Sequence, residues 1–446
     1  MRISILGYDK HFEVREDSPE AISPEQALIH FLKVMLGTGM LSLPLSFKSL
    51  LSNKNCFSNS KNVFFWMGLI LLPLICLLCL YCTRQLVTAA RYVCRRTGRS
   101  RIDYANVMRK AVEFGPSWMS YRGYFAKQTV NATMFVAQLG FCCVYFVFMA
   151  DNLKQFFDET STVHMQQSTW IALLCVPILC LCSVRRLKSL APIALCANFI
   201  YFAALTIVLC YLFTEPKPFA SLPAFPRNWN KLPLFFGTVI FAFEGVAVVL
   251  PIENQMRDPY HFISPCGVLN AGCYLVMDLY CVVGFFGFLK IGDDVKDTVT
   301  LNLPKTMFYQ FIKVMFVSCI LVSYPLQFYV PMERVEKWIS RKVRKDIQEQ
   351  SVYLARFGFV ILTCLLAELI PHLALFISLI GAFASTALAL IFPPIIDILC
   401  NYAKAKLTWN LWIKDTFLLL FACIGIITGT YTSLNEIVEQ FGQPGG

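Results

Sequence analysis

Long apolar stretches separated by short polar segments are the dominant pattern along this chain of 446 residues. A membrane-spanning helix needs about 20 predominantly apolar residues, and eleven stretches qualify. They lie near 27–51, 63–83, 126–150, 168–184, 190–213, 233–252, 266–289, 307–331, 353–370, 373–398 and 413–431. The pattern predicts an all-α polytopic membrane protein with about 11 transmembrane helices. A short amphipathic helix is also expected after the second stretch, over IDYANVMRKAVEF.

Composition and charge agree with this prediction. Hydrophobic residues make up 57% of the chain and charged residues 15%, whereas a soluble domain carries roughly 25% charged residues. Such hydrophobicity also excludes an intrinsically disordered chain. The net charge is +11, but the basic residues crowd into a few loops and form no stripe interleaved with exposed aromatics. We therefore expect membrane lipids, and no nucleic acid, as partners of these charges.

The positions of the basic loops predict the orientation of the chain. Segments rich in Lys and Arg follow the even-numbered spans, at 84–124, 185–188, 332–346 and 404–406. Cytoplasmic loops carry such an excess, so the N-terminus is predicted to be cytoplasmic. No cleavable signal peptide is expected, because the N-terminal segment is highly charged. The predicted organisation is a cytoplasmic segment, a transmembrane domain and a short extracytoplasmic tail, over 1–25, 26–435 and 436–446.

The first predicted span contains a sequence that favours local unwinding. Gly37-Thr38-Gly39 lies near its middle, and Pro44 removes a further backbone donor. Non-helical backbone at membrane depth is tolerated only where it is buried in protein or lines a cavity. A close contact between helices is the alternative, for which small residues are equally suited. The triplet alone leaves both interpretations open.

The sixth predicted span carries a carboxylate, which is costly inside a membrane and indicates function. Glu244 and Gly245 lie within it, and Pro251 lies near its end. Spans one and six are corresponding members of a five-plus-five inverted repeat, and paired interrupted helices indicate the substrate site of a secondary transporter. Amides freed at such a break would receive a substrate carboxylate, and freed carbonyls would receive an ammonium group or a cation.

Several blocks of the sequence support this interpretation by resemblance: HFLKVMLGTGMLSLPLSFKSL, QLGFCCVYFVFMADN, FGTVIFAFEGVAVVLPIENQMRDP, SYPLQFYVPMERV and ALALIFPPIID. They resemble the proton-coupled amino acid transporters, a group within the amino acid/auxin permease family. The resemblance covers about residues 26–431 and implies a LeuT-like inverted-repeat fold with helices 1 and 6 interrupted. It also implies symport of protons with small neutral amino acids of the glycine, alanine and proline class. The proton gradient is then the driving force, and no cofactor is expected.

One departure from that group lies beside the first break. Many members have small or polar residues where this chain has Val34, Met35 and Leu36. If these positions face the pocket, they narrow or shift the range of substrates. Two alternatives therefore stay open, a sodium-coupled amino acid transporter and an amino-acid-sensing receptor with a transporter fold. Either the plasma membrane or the lysosomal membrane supplies a suitable proton gradient.

The candidate site residues follow from the two breaks. The substrate-binding candidates are Gly37, Thr38, Gly39, Phe241, Phe243, Glu244 and Gly245. Three further hydroxyl residues are candidates for polar contacts in the pocket, and the same hydroxyls also suit helix packing: Tyr324, Ser385 and Thr386.

Two of the residues are candidates for proton coupling. His30 shares a helix face with Gly37 and matches a histidine implicated in proton coupling in the transporters that this chain resembles. The alternative is a solvated histidine at the membrane interface. Glu244 would alternate between protonated and ionised forms as water access changes, or else serve as a neutral structural carboxyl.

Metal-ion and enzymatic chemistry are not predicted. The series Cys76-x-x-Cys79-x-x-Cys82 has the spacing of zinc ligands, but it is embedded in an apolar run with no partner cluster. We interpret these thiols as core residues. Neither a nucleophile with a base nor a phosphate-binding Gly-rich motif is identifiable, so neither an enzyme nor an ATP-driven pump is expected.

Overall fold

The computed structural model describes residues 22–51, 66–162, 164–184, 187–214, 231–243, 245–369 and 372–442. Within these ranges the chain is helical, apart from turns and one isolated parallel bridge between Ile22 and Met256. The helices of the first half are α1 (Pro24–Met35), α2 (Thr38–Leu41), α3 (Leu43–Leu51), α4 (Trp66–Thr97), α5 (Tyr104–Phe114), α6 (Ser117–Ser120), α7 (Gly123–Thr160), α8 (Gln167–Cys182) and α9 (Leu187–Phe213). Those of the second half are α10 (Leu232–Ala242), α11 (Val246–Gln255), α12 (Tyr260–Ile263), α13 (Val268–Ile291), α14 (Met307–Lys342), α15 (Lys345–Leu369), α16 (Leu373–Ile380), α17 (Phe392–Ala403) and α18 (Trp409–Gly442).

Nine helical segments in the described part of the chain are long and apolar enough to cross a membrane. They confirm the prediction of an all-α polytopic membrane protein. The count of eleven stays a prediction, as does the five-plus-five repeat. The two remaining predicted spans correspond to the short apolar helix α8, of 16 residues, and to a first span that is divided into α1, α2 and α3.

Several helices continue well past the apolar stretches that predicted them. The second predicted stretch ends at 83, whereas α4 continues to Thr97, and α14 likewise continues from 331 to Lys342. The last helix, α18, runs to Gly442, into the segment predicted as a tail. The length of an apolar stretch indicates the part of a helix that lipid covers. The backbone hydrogen bonds of the helix continue beyond that part for as long as the following residues adopt a helical conformation.

The amphipathic helix expected after the second span is confirmed as α5. Its buried side chains include Tyr104, Met108 and Val112, which recur at helical spacing. The Tyr104 hydroxyl donates a hydrogen bond to the backbone carbonyl of Leu388 at 2.6 Å. This helix is therefore anchored in the bundle, against the tenth predicted span.

Both predicted interruptions are present. Helix α1 ends at Met35 and α2 begins at Thr38, while α10 ends at Ala242 and α11 begins at Val246. The two glycines of the first break have different surroundings. A Cβ added at Gly39 would lie 2.7 Å from the Cα of Ala242, whereas one added at Gly37 would meet no atom within 4 Å. Gly39 therefore serves close helix packing, and Gly37 borders open space.

The tenth predicted span is also irregular. Between α16 and α17 the backbone forms two π-helical segments, Gly381–Ser385 and Ala387–Ile391. A Cβ at Gly381 would overlap the carbonyl oxygen of Gly237 in α10. This backbone contact holds the tenth span against the half of the sixth span that precedes its break. Single π-helical turns are frequent at functional sites.

We predict that Gly381→Ala destabilises the protein, because the added methyl group meets backbone that cannot rotate away. Overpacking of this kind typically costs about 1–3 kcal/mol. The control is Gly358→Ala in α15, where the added Cβ meets nothing within 4 Å. Thermal unfolding midpoints of the two purified variants in the same detergent test this prediction. Equal midpoints would show that the contact between α10 and the π-helical segment is not a constraint.

Candidate functional site

A cavity of about 280 Å³ adjoins the first break. It is lined by residues of α1, α7, α9, α11 and α14, and Gly37 is part of its wall. The volume is just below the range of roughly 300–1,000 Å³ that is usual for pockets holding drug-sized ligands. The cavity therefore suits a small molecule.

The lining of this cavity is mixed in polarity. Its uncharged polar side chains come from four helices: Tyr145, Asn198, Tyr201, Gln255, Ser323 and Gln327. Two basic side chains, His30 and Lys33, lie on α1, and none of the described residues that line the cavity is acidic. Such a wall offers hydrogen bonds to a polar ligand and no carboxylate to pair with a cationic side chain.

The cavity lies toward one end of the bundle. Its α1 residues precede the first break and its α11 residues follow the second, so it occupies the half of the bundle where α1 begins and α11 ends. The arginine-rich segment between α4 and α7 is at this end, which we call the basic face. Because the basic segments are predicted to be cytoplasmic, the cavity belongs to the predicted cytoplasmic half.

A second cavity, of about 240 Å³, lies on the other side of the breaks. Ser42 and Lys48 line it from α3 and the turn before it, and Thr238 lines it from α10. Helices α2 and α10 meet between the two cavities, at the close contact of Gly39 with Ala242. The two breaks thus form a packed layer with one cavity on each side.

A loop covers the end of the bundle opposite the basic face. The Lys48 ammonium donates to the backbone carbonyl of Val295 at 3.2 Å. The Asp297 carboxylate accepts a hydrogen bond at 3.4 Å from the backbone N–H of Ala374, in the first turn of α16. Burial raises the pKa of Asp297, although this hydrogen bond and the nearby His372 act in the opposite direction. These contacts tie the loop to the first and tenth spans.

The candidate substrate residues divide between the cavity wall and the packed layer. Gly37 lines the first cavity. The others that are described are buried in the layer between the two cavities: Thr38, Gly39, Phe241, Phe243 and Gly245. The Phe241 ring packs 4.6 Å from that of Phe141, between ring centroids. Glu244 lies outside the described residues. The roles of these residues in binding stay predictions.

The apolar residues at 34–36, where the chain departs from the group that it resembles, lie in and beside the wall of the first cavity. Val34 and Leu36 line the first cavity, so two apolar side chains lie in its wall at positions where the resemblance implied smaller or polar residues. Met35 is buried and does not line the cavity, and its sulfur packs against Gly245. Met35 thus fills the space between the two breaks, while its neighbours narrow the cavity.

The three candidate hydroxyl residues do not line the first cavity. The Tyr324 hydroxyl is hydrogen-bonded to that of Thr363 at 2.7 Å. The Thr386 hydroxyl donates to the carbonyl of Gly381 at 2.8 Å, and Ser385 is fully buried in a π-helical segment. The contacts of Tyr324 and Thr386 join or stabilise helices. Direct contact of these hydroxyls with a ligand stays a prediction.

His30 lies where both interpretations of it remain open. It lines the cavity and its side chain is solvent-accessible at the basic face. Lys33 lies one turn further along α1 and also lines the cavity. A proton at His30 would therefore exchange with water at this end of the bundle.

The residue that connects the two breaks is Tyr280 of α13, which the sequence analysis missed. Its hydroxyl is hydrogen-bonded to the carbonyl of Met35, at the end of α1, and to that of Ala242, at the end of α10, at 2.6 Å for the second bond. A tyrosine hydroxyl has one proton, so the two carbonyls share a single donor. Tyr280 is fully buried. It is one of 18 tyrosines, and no local motif distinguishes it.

The fold and the cavity together define a class of protein. A polytopic helical bundle with two interrupted helices, and with a small cavity of mixed polarity at one of the breaks, has the features of a secondary transporter. Residues 20–438 match the family model described as "Transmembrane amino acid transporter protein". The chain therefore belongs to this family of amino acid transporters, as the resemblance to amino acid/auxin permeases implied, and it is an integral multi-pass membrane protein.

Two relatives cover most of the chain. The "Proton-coupled amino acid transporter-like protein pathetic" of Drosophila melanogaster is 30% identical over 428 residues, which are 95% of this chain and 87% of the relative. The "Probable amino acid transporter skat-1" of Caenorhabditis elegans is 27% identical over 440 residues, which are 96% of this chain and 93% of the relative. Both similarities extend over nearly the whole transmembrane domain.

We predict that Tyr280→Phe weakens the arrangement of the two breaks. The ring stays in place, but the Ala242 carbonyl loses the hydroxyl donor, and an unpaired buried polar group costs about 1–3 kcal/mol. The thermal unfolding midpoint of the purified variant should fall below that of Tyr274→Phe, a change on the exposed side of the same helix. If both variants unfold at the wild-type temperature, the hydroxyl bridge does not stabilise the breaks.

Proposed function

We propose that this protein is a secondary active transporter that moves small neutral amino acids of the glycine, alanine and proline class together with protons. One observation supports this substrate class. A cavity of about 280 Å³ adjoins the open backbone at Gly37, and none of its described lining residues is acidic. A lysine or arginine substrate would place its side-chain charge near His30 and Lys33, without a carboxylate among those residues to pair with it.

The proposed binding mode uses the backbone at the first break. The amides of the first turn after the break have no partners within their helix, and that end of a helix carries partial positive charge. A substrate carboxylate would therefore bind beside Gly37, where no side chain stands in the way. Carbonyls near the end of α1 would accept hydrogen bonds from the substrate ammonium group. The apolar side chains of Val34 and Leu36 would limit the substrate to a small side chain.

The proposed transport step is an exchange of access between the two cavities. They lie on opposite sides of the layer formed by the breaks, so movement of the broken helices would open one side and close the other. His30 would release its proton at the basic face, because the charge of Lys33 one turn away opposes a second positive charge beside it. Glu244, in the second break, is the proposed carboxylate partner in this cycle.

We propose a cytoplasmic N-terminus, in accord with the basic loops, and either the plasma membrane or the lysosomal membrane as the location. At both membranes a proton gradient directed toward the cytoplasm would supply the driving force. Membrane lipids with anionic headgroups are the proposed partners of the basic face.

Uptake into proteoliposomes tests the proposed function. The purified full-length protein, reconstituted without sodium, should accumulate radiolabelled glycine, alanine or proline when a proton gradient is imposed, and excess unlabelled lysine should compete poorly. Empty liposomes, and proteoliposomes with the gradient collapsed by a proton ionophore, are the controls. Accumulation that requires sodium would instead establish a sodium-coupled transporter. Saturable binding with negligible flux would establish a sensing receptor.

A further prediction concerns His30. If His30 relays protons, His30→Ala should flatten the dependence of uptake on external pH, because the group that titrates near physiological pH is lost. His261→Ala is the matched control, since His261 is an exposed histidine at the same face. Initial uptake rates over a series of pH values, normalised to folded protein, provide the measurement. A His30→Ala profile that superimposes on the wild-type profile would remove His30 from the mechanism.

A further inference from the structure

A cluster of two carboxylates lies outside the cavity described above, where α4, α17 and α18 meet. The side-chain amide of Gln85 donates to Asp397 Oδ2 at 3.0 Å and to Asp415 Oδ1 at 2.8 Å. Asp415 is fully buried and Gln85 is 6% exposed. None of the three lines the cavity at Gly37. Two acidic groups are thus joined through the nitrogen of one neutral amide.

The buried acceptor atoms of Asp415 and Gln85 outnumber the hydrogen-bond donors around them. Asp415 Oδ2 and Gln85 Oε1 are both buried, and within the described residues neither has a hydrogen-bond partner. An amide group has only two N–H donors. The two shortest contacts of the Gln85 nitrogen are to the two carboxylates, and the Tyr81 hydroxyl lies further away, at 3.4 Å. Leaving buried acceptors unpaired is costly, and two carboxylates that share a site disfavour double ionisation. One additional proton would remove both costs, because it supplies a donor and neutralises one of the two carboxylates.

The charged groups that face this cluster do not supply the missing donor. Lys414 of α18 lies 3.9 Å from Asp415 Oδ1, but its side chain is 43% exposed and its ammonium also lies over the Tyr81 ring. Tyr81 and Cys82 approach from α4, and Lys404 lies just beyond the end of α17. The Lys404 ammonium lies over the Tyr92 ring, at 4.5 Å from its centroid. Within the described residues neither lysine donates a hydrogen bond to Asp415 Oδ2, so this buried acceptor still lacks a donor.

We propose that Asp415 and Asp397, bridged by Gln85, form a proton-binding site in which Asp415 Oδ2 carries an exchangeable proton. The proton supplies the missing donor, and the amide of Gln85 and the acid of Asp415 can then pair through two hydrogen bonds, N–H to Oδ1 and O–H to Oε1. The remaining negative charge stays on Asp397, which also accepts a hydrogen bond from Asn401 at 2.9 Å. The partly exposed Tyr81 and Lys414 mark the side from which water reaches the site.

This site differs from the proton relay proposed for His30 in its location in the bundle and in the effect that protonation would have. It joins α4 to α17, which continues the π-helical part of the tenth span, and to α18. When the proton leaves, the two carboxylates repel each other across one amide, and the contact of the three helices weakens. The protonation state of Asp415 therefore sets how firmly the tenth span is held at this end of the bundle.

Infrared difference spectroscopy on the full-length protein in liposomes tests the proposal directly. Between acidic and neutral pH the wild-type protein should lose a C=O stretching band of a protonated carboxyl group, and Asp415→Asn should lack this band. The asparagine keeps the shape and supplies an N–H donor, so the variant should stay folded. Asp346→Asn, which alters an exposed aspartate at the start of α15, should leave the band unchanged. The readout requires no transport, so its outcome is independent of the uptake experiments.

A second variant keeps the test decisive if Asp415→Asn does not fold. Asp397→Asn removes the neighbouring negative charge, so the Asp415 band should persist while its titration midpoint moves to lower pH. The proposal would be overturned by an unchanged titration midpoint in Asp397→Asn, or by an unchanged band in Asp415→Asn. It would also be overturned if the wild-type band disappeared on addition of sodium at constant pH, because the site would then bind a cation instead of a proton.

Discussion

The requirement that every backbone polar group in a membrane find a partner is the constraint on which the rest of this structure depends. Two helices are broken at membrane depth, and their free carbonyls would be prohibitively costly in lipid. The protein meets the requirement by packing the breaks against each other and placing Tyr280 between them, where its hydroxyl serves both Met35 and Ala242. At the first break, Leu36 and Gly37 line the cavity, and the space beside Gly37 is open.

The same constraint explains how the site is divided. Close packing at Gly39 and the sulfur of Met35 against Gly245 fill the layer between the breaks. Cavities remain on either side of that layer, one toward the basic face and one toward the opposite face. A packed layer with a cavity on each side is the arrangement that a transporter with alternating access requires. Membership of an amino acid transporter family agrees with this arrangement.

Two places that differ in chemistry could take up protons in this fold. His30 lies at a cavity open to water, so its protonation follows the pH of one compartment. Asp415 is buried between helices, and its proposed proton would alter the contact between them. A proton at the first place is close to the proposed substrate, whereas a proton at the second acts through helix packing. The two proposed sites would therefore affect different steps of the proposed transport cycle.

Sequence alone determined the class of the fold and the location of the breaks, because both depend on local composition. Apolar length defines membrane helices, and the glycines at 37, 39 and 245 mark the backbone that departs from them. The amphipathic pattern of α5 was equally local. The rule that an acidic residue within a span indicates function also applies to Asp415, near the start of the last span.

Only the tertiary structure decided which residues meet. Tyr280 is 245 residues from Met35, and Asp415 is 330 residues from Gln85, so no spacing in the chain relates them. Local sequence likewise could not show that Gly37 faces a cavity while Gly39 faces Ala242, since both are glycines of one triplet. Which side of a broken helix faces a neighbour depends on how the helices pack, and packing depends on residues far apart in the sequence.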